Sequence, residues 1–311
     1  MSTHAPVITQ VTFDGLRAEQ LESRWIERVG GIEAYVFDGR QLAGEQPWRR
    51  LRANLRRARD LGADPLTMHF PTDNADWVHD PDAYAALLRF CELAAEVQAD
   101  GVVLHSNQFV PVDGWPAFDL AQARKRVVAK LGELDERLTG SPMWIGVENM
   151  PIIGSAGLDF DSVFVRPADF DALLELDSPC IGVTWDVCHW AVSYSTLRAI
   201  AHLRQEEADV HPLDLPAPPV RHIHFASFAG HAMPYWPADC FEGAIPQAGW
   251  FDQDLLAAML AEAIGRAAPG CSVVFEVQED DYRDRRNCWE TLAWAAEHPA
   301  LAGLVRTERP A

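Results

Sequence analysis

The stretch IGVTWDVCHWAVSYSTLRAIAHL, residues 181–203, contains a strand pattern followed by a helix pattern. Its first part, Ile181–Val187, is apolar and β-branched, as expected of a buried strand. Ser195–Leu203 has the apolar spacing of an amphipathic helix. Asp186 and His189 lie between the two patterns. The stretch therefore predicts a strand and a helix, with polar side chains where the strand ends.

The same alternation of strand and helix occurs eight times along the chain. The other seven predicted strands are Val7–Phe13, Gly31–Phe37, Leu66–Phe70, Val102–His105, Trp144–Glu148, Val220–Phe225 and Val273–Val277. Helices between successive strands imply a parallel sheet, because each crossover helix returns the chain to the end of the sheet where the previous strand began. Eight such units predict an α/β fold, a single (β/α)8 TIM barrel. No linker divides the series, so we expect residues 1–311 to form one domain.

The composition is typical of a soluble globular protein, with 48% hydrophobic and 23% charged residues. The apolar runs have strand length, which argues against a membrane span. Residues 1–6 lack the pattern of a signal peptide. The six cysteines contain no CxxC pair, as expected of reduced thiols. We therefore expect a cytoplasmic protein that does not enter membranes.

The formal net charge is −20, and the isoelectric point is about 4.8. An acidic surface repels phosphate backbones and gains little from counterion release. The charge therefore disfavours a nucleic-acid partner and favours a small-molecule substrate.

Titratable side chains stand at the carboxyl ends of six consecutive predicted strands. In chain order they are His69, His105, Glu148, Asp186, His224 and Glu276. Active sites of TIM barrels form at this end, where the loops after the strands begin. Burying several carboxylates and imidazoles at one mouth is costly unless a cation neutralises them. The mixed ligands suit Mn²⁺, Zn²⁺, Fe²⁺ or Mg²⁺, so the sequence predicts a divalent metal site.

Spacing helps to rank the histidines. His222 and His224 point to the same barrel face because they are two residues apart in a strand. His224 is closer to the carboxyl end, so it is the better metal ligand, and His222 is expected in a second layer. Asp186 and His189 are three apart at the end of their strand, so both side chains can reach the mouth.

These residues stand in motifs that resemble the xylose-isomerase-like superfamily of TIM barrels. That superfamily joins sugar and sugar-phosphate isomerases and epimerases with endonucleases of the endonuclease IV type. The matching runs are Glu148-Asn149-Met150-Pro151, Gly182-Val183-Thr184-Trp185-Asp186-Val187-Cys188-His189, His222-Ile223-His224, Gly249-Trp250-Phe251-Asp252 and Val274-Phe275-Glu276. The resemblance implies that Glu148, Asp186, His224 and Glu276 bind a shared metal. It also implies that His189 contacts the substrate or a further metal. Related barrels often pair, which leaves a homodimer open.

The number of metals is left open by the other histidines. The endonuclease branch uses histidines in the places of His69 and His105 for a second metal, whereas epimerases use one of them as a substrate contact. The Asp-x-His that completes a third metal site is absent, and Gly230-His231-Ala232 stands in the loop after strand seven. We expect one metal, with a second or third as alternatives, and in a two-metal site Glu148 would be the bridging carboxylate. His231 and Trp190 are further candidate substrate contacts.

Three reactions are compatible with this set of residues. The first is isomerisation or epimerisation of a small sugar-like or keto/hydroxy substrate. In it the metal polarises a carbonyl, and Glu148 and Glu276 exchange a proton with the adjacent carbon through an enediolate. The second is hydrolysis of a small phosphoester with two or more metals. The third is an iron-dependent oxidation on the same site.

Overall fold

The computed structural model describes residues 6–106, 114, 117–152, 163–201, 210–230 and 240–306. Within these residues, eight parallel strands form a closed barrel. They are β1 Ile8–Asp14, β2 Gly30–Tyr35, β3 Leu66–His69, β4 Gly101–Leu104, β5 Trp144–Glu148, β6 Ile181–Asp186, β7 Val220–Phe225 and β10 Ser272–Phe275. The strands pair in chain order, and β10 closes the barrel against β1. The predicted (β/α)8 barrel is therefore confirmed, and the extent of the domain over residues 1–311 stays a prediction.

Helices lie between the strands. They are α1 Ser23–Val29, α2 Glu45–Asp60, α3 Pro81–Glu96, α4 Leu120–Leu138, α5 Val187–Ile200, α6 Gln253–Arg266 and α7 Arg286–Glu297. A 3-10 helix, Pro167–Leu176, replaces an α-helix between β5 and β6. Within the described residues, no helix is long and apolar enough to cross a bilayer.

The start of α5 differs from the prediction. The helix pattern at Ser195–Leu203 covers only its end, because α5 begins at Val187, directly after β6. The Asp186 side chain accepts a hydrogen bond from the His189 backbone N–H and so caps the helix. The sharp turn from strand to helix brings His189 to the carboxyl end of the barrel.

A two-stranded antiparallel sheet follows β7. It pairs β8, Ser227–Ala229, with β9, Phe241–Ala244, in a part of the chain that the sequence analysis treated as loop. Gly243 in β9 has a φ of +87°, which favours glycine, and its carbonyl accepts a 2.8 Å hydrogen bond from the Gln278 backbone N–H. This contact attaches β9 to the segment after β10, at the carboxyl end of the barrel.

Candidate metal centre

A cavity of about 290 Å³ opens at the carboxyl ends of the barrel strands. Six of the predicted metal ligands line it: His69, His105, Glu148, Asp186, His189 and Glu276. The seventh, His224, is fully buried and contacts Glu148 and Glu276. The structure therefore brings together all seven residues that the sequence analysis chose as metal ligands.

Glu148, the last residue of β5, lies at the centre of this group. Its Oε1 is 3.3 Å from His224 Nδ1 and 3.3 Å from His189 Nδ1. Its Oε2 is 3.2 Å from His69 Nε2 and 3.0 Å from His105 Nε2. The two carboxylate oxygens thus face different pairs of imidazoles, which is the arrangement expected of a bridging carboxylate.

Asp186 and Asn149 are joined at the ends of β6 and β5. The Asp186 backbone N–H donates to Asn149 Oδ1 at 2.6 Å, and Asn149 Nδ2 donates to the Asp186 carbonyl at 2.9 Å. His189 Nδ1 donates to the Asn149 carbonyl at 2.8 Å, so His189 Nε2 is left to face the cavity. The Asn after Glu148 therefore positions the backbone of the neighbouring ligand.

Four residues fit a single divalent cation. Glu148, Asp186, His224 and Glu276 each offer one ligand atom, and these atoms lie within 4.8 Å of one another. Two ligands on opposite sides of a cation at 2.0–2.2 Å are roughly 4 Å apart, so the four atoms need only a small movement to share one ion. Three carboxylates and one imidazole suit Mn²⁺, Mg²⁺, Fe²⁺ or Zn²⁺.

The surroundings of His224 give an independent reason for a cation. Its Nδ1 faces two carboxylate oxygens, Glu276 Oε2 at 3.1 Å and Glu148 Oε1 at 3.3 Å. If Nδ1 presented its lone pair, three electron-rich atoms would meet in a buried space, so a proton or a metal ion must lie between them.

The pKa shifts favour protonation of two of the proposed metal ligands, His224 and Asp186. Burial opposes protonation of His224, but Glu276, Glu148 and Glu33 raise its pKa well above the ordinary value. Burial, Glu148 and Glu276 raise the pKa of Asp186 to about 7. Burial would also raise the pKa of Glu148, yet His224 and His105 outweigh it and hold that pKa well below the ordinary value. A cation would replace these protons.

The pKa values of His69 and His105 are shifted in opposite directions. Burial opposes protonation of His69, but its contact with Glu148 raises its pKa. Burial lowers the pKa of His105, so this imidazole is the more readily available as a neutral ligand. His69 Nδ1 donates to the Phe70 carbonyl at 2.8 Å, which turns Nε2 toward Glu148. Together with Glu148 Oε2, these two nitrogens are the candidate ligands of a second cation.

Two predicted substrate contacts have different outcomes. Trp190 is 1% exposed, packs against Trp185 at a ring distance of 5.9 Å, and donates from Nε1 to the Pro212 carbonyl. It does not line the cavity, because the turn into α5 directs it toward the core, so we reassign it to packing. His231 lies outside the described residues.

Sequence reasoning missed two carboxylates near the site. Glu33 in β2 is fully buried and contacts His222 and His224, and a lone charged residue in an apolar strand was the available signal. Glu242 in β9 lines the cavity, and its Oε2 is 3.6 Å from His189 Nε2. No local pattern marked Glu242, because β9 was not predicted.

The fold and the site define a barrel with a candidate metal centre at the carboxyl ends of its strands. A family model described as a xylose isomerase-like TIM barrel matches residues 24–294. The chain belongs to this family. A search of curated proteins finds no match.

Solved structures share the fold over nearly the whole chain. A D-tagatose 3-epimerase-like protein is 17% identical, with 92% of this chain and 97% of that chain covered and a TM-score of 0.56. The 3-keto-D-glucoside 4-epimerase of E. coli is 16% identical, with 93% and 98% covered and a TM-score of 0.57. A family 2 AP endonuclease from Brucella melitensis is 12% identical, with 94% and 99% covered and a TM-score of 0.57. At these identities the similarity concerns the fold.

Proposed function

We propose that the protein is a divalent-metal-dependent isomerase or epimerase of a small, uncharged, sugar-like or keto/hydroxy substrate. The observation that carries this proposal is the cluster of Glu148, Asp186, His224 and Glu276 at the base of a small cavity. Two of the three structural neighbours described above have epimerase in their names, which agrees with the proposal.

The bound cation would polarise the substrate carbonyl and acidify the adjacent C–H. Glu148 and Glu276 both contact His224 Nδ1, and Glu276, which lines the cavity, is 29% exposed. Glu276 is therefore placed to take a proton from the carbon next to the carbonyl, and Glu148 is the candidate partner for the return of a proton. Carboxylates suit both steps because each can hold a proton and release it.

The charge of the cavity supports an uncharged substrate. Glu148, Asp186, Glu242 and Glu276 line its walls, and no Lys or Arg does so among the described residues. Residues 107–116, 153–162 and 231–239, which follow β4, β5 and β7 in the sequence, contain no Lys or Arg either. A sugar phosphate would lack the cationic side chain that usually holds such a group.

Deuterium exchange tests the proposed proton transfer. The metal-loaded protein is incubated in D₂O with a panel of free ketoses and aldoses and with their phosphorylated forms, and NMR follows the carbon next to the carbonyl. We expect deuterium incorporation with a free sugar or hydroxyketone and none with Glu276→Gln. Glu262→Gln, which removes a carboxylate from the surface of α6, is the matched control and keeps wild-type exchange. Exchange that survives in Glu276→Gln, or that occurs with phosphorylated substrates alone, contradicts the proposal.

Hydrolysis of a small phosphoester by two metals is the second candidate. It is favoured by His69 and His105, which face the second oxygen of Glu148. Elemental analysis of the purified protein separates the candidates. One Mn²⁺ or Mg²⁺ per chain supports epimerase chemistry, two or three Zn²⁺ support hydrolysis, and bound iron supports oxidation.

A further inference from the structure

A buried polar network lies inside the barrel beneath the metal centre. Its members are contributed by five strands and are all at most 2% exposed: Gln10, Glu33, Thr67, His222 and Ser272. The proposed reaction uses none of them. A buried carboxylate is costly unless its oxygens are satisfied, so the partners of Glu33 indicate its role.

Each oxygen of Glu33 has a different partner. Oε2 accepts a 2.8 Å hydrogen bond from Thr67 Oγ1 and is 3.0 Å from His222 Nε2. Oε1 is 3.2 Å from His224 Nε2. Within the described residues, neither Glu33 Oε1 nor His224 Nε2 has a hydrogen bond of good geometry. Their contact is therefore a buried ion pair at 3.2 Å and not a well-aligned hydrogen bond.

This contact determines which nitrogen of His224 carries a proton. An ionised carboxylate offers only lone pairs, and a bare Nε2 would set another lone pair against it at 3.2 Å in a buried space, so we infer that the proton lies on His224 Nε2. Nδ1, on the opposite side of the ring, faces Glu148 and Glu276. When a cation binds, the lone pair of Nδ1 is thus directed at it, and the negative charge of Glu33 increases the basicity of the ring.

We propose that Glu33 is a positioning residue for the metal centre, which holds His224 in the tautomer and orientation that binds a divalent cation through Nδ1. This inference rests on the proposed metal dependence and not on the reaction that the protein catalyses.

The rest of the network keeps the Glu33 carboxylate in place. Gln10 Nε2 donates to Thr67 Oγ1 at 3.0 Å, so the hydroxyl hydrogen of Thr67 is directed at Glu33. Ser272 Oγ donates to Gln10 Oε1 at 2.6 Å and contacts His222 Nδ1 at 3.0 Å. Because every member contacts two others, the carboxylate has little freedom to turn away from His224.

The test compares Glu33→Gln with Thr291→Val, a matched change at a buried threonine of α7 outside the network. The glutamine keeps the shape of Glu33, but its uncharged amide lowers the basicity of His224 and can present N–H₂ to a nitrogen that needs an acceptor. The valine removes a buried hydroxyl that donates to the Asn287 carbonyl at 2.9 Å, and it touches no member of the network. Calorimetric titration of the metal-free proteins with Mn²⁺ gives the Kd, and thermal unfolding reports stability.

We expect Glu33→Gln to weaken Mn²⁺ binding about 10- to 100-fold. Thr291→Val should bind Mn²⁺ within about threefold of wild type, even if its melting temperature falls. A folded Glu33→Gln protein that binds within threefold of wild type overturns the proposal. Equal weakening in both variants also overturns it, because that result indicates a general effect of core damage.

A measurement on the wild type covers the case in which Glu33→Gln does not fold. In ¹⁵N-histidine NMR spectra of the Zn²⁺-loaded protein, we expect His224 to show a protonated, slowly exchanging Nε2 and a metal-bound Nδ1. A proton on Nδ1 contradicts the proposal. Wild-type protein that binds the cation but exchanges no substrate deuterium contradicts the proposed function and leaves the role of Glu33 intact.

Discussion

Glu148 contacts four imidazoles from four different strand ends. His69 and His105 share one oxygen, and His189 and His224 share the other. Of these, His224 belongs to the four-residue cation site and His189 lies 3.6 Å from its Asp186, whereas His69 and His105 have no role there. The contacts of Glu148 Oε2 with His69 and His105 therefore raise the question whether a second metal binds on that side of the carboxylate.

Alanine variants of His69 and His105 answer this question. We expect each variant to lower the metal content if a second cation is bound, since each removes one imidazole from Glu148 Oε2. Elemental analysis of proteins purified in parallel measures the change. His79→Ala is the control, because His79 pairs with Asp76 away from the cavity. Full metal content together with a change in KM alone would instead make these histidines substrate contacts.

Metal affinity should depend on pH. The pKa of Asp186 is raised to about 7 by burial and neighbouring carboxylates. The pKa of His224 lies well above its ordinary value because Glu276, Glu148 and Glu33 outweigh burial. Both groups lose their protons when a cation binds, so protons compete with the metal. We expect Kd to rise as pH falls from 8 to 6, by about tenfold per unit for each proton displaced.

Titrations at several pH values in two buffers of different ionisation enthalpy measure this linkage. Proton release on binding should appear as a heat that depends on the buffer. A Kd that stays constant from pH 8 to 6, with no proton release, contradicts the assignment of Asp186 and His224 as ligands.

The β8–β9 hairpin brings Glu242 to the cavity. Its attachment to the barrel depends on Gly243, where an added Cβ would lie 2.7 Å from Gln278 Cγ and 3.2 Å from the Glu276 carbonyl oxygen. The hairpin therefore packs against the backbone of Glu276, whose side chain is a proposed ligand and base.

Gly243→Ala should therefore lower activity more than stability. The substitution strains a positive φ by about 1–2 kcal/mol and pushes β9 away from Gln278, so Glu242 moves relative to His189. We expect kcat/KM for deuterium exchange to fall about tenfold or more, equivalent to roughly 1.4 kcal/mol of transition-state stabilisation. Gly303→Ala provides the control, because Gly303 also has a positive φ but an added Cβ meets nothing within 4 Å. Equal losses in both variants would mean that the hairpin has no particular role.

The barrel as a whole should be stabilised by its cation. The proposed ligands come from β5, β6, β7 and the segment after β10, and they lie close together only in the folded state. A cation that contacts all four therefore binds the folded state and not the unfolded chain. At a free metal concentration 100 times Kd, we expect about 2.7 kcal/mol of added stability. Thermal unfolding with Mn²⁺ and with EDTA measures it. Identical melting temperatures under both conditions contradict the metal centre.

Much of the fold and of the cation site could be predicted from local patterns. Strand and helix periodicities are set by neighbours along the chain, and eight alternations imply a closed parallel barrel. Because all parallel strands end on one side, Asp186 and Glu276 could be assigned to one site without coordinates. Trp190 shows the limit, since its direction depends on how α5 leaves β6.

The contacts inside the barrel depend on the pairing of distant strands. His222 and Glu33 are 189 residues apart, yet they are 3.0 Å apart because strand register places them at the same level of the barrel. Glu242 reaches the cavity only because β9 pairs with β8 and packs on Gln278. Local periodicity predicts which residues end each strand, whereas register and packing determine which of them meet. For this protein, the proposed metal ligands followed from strand periodicity, and the residues that contact them followed from register and packing.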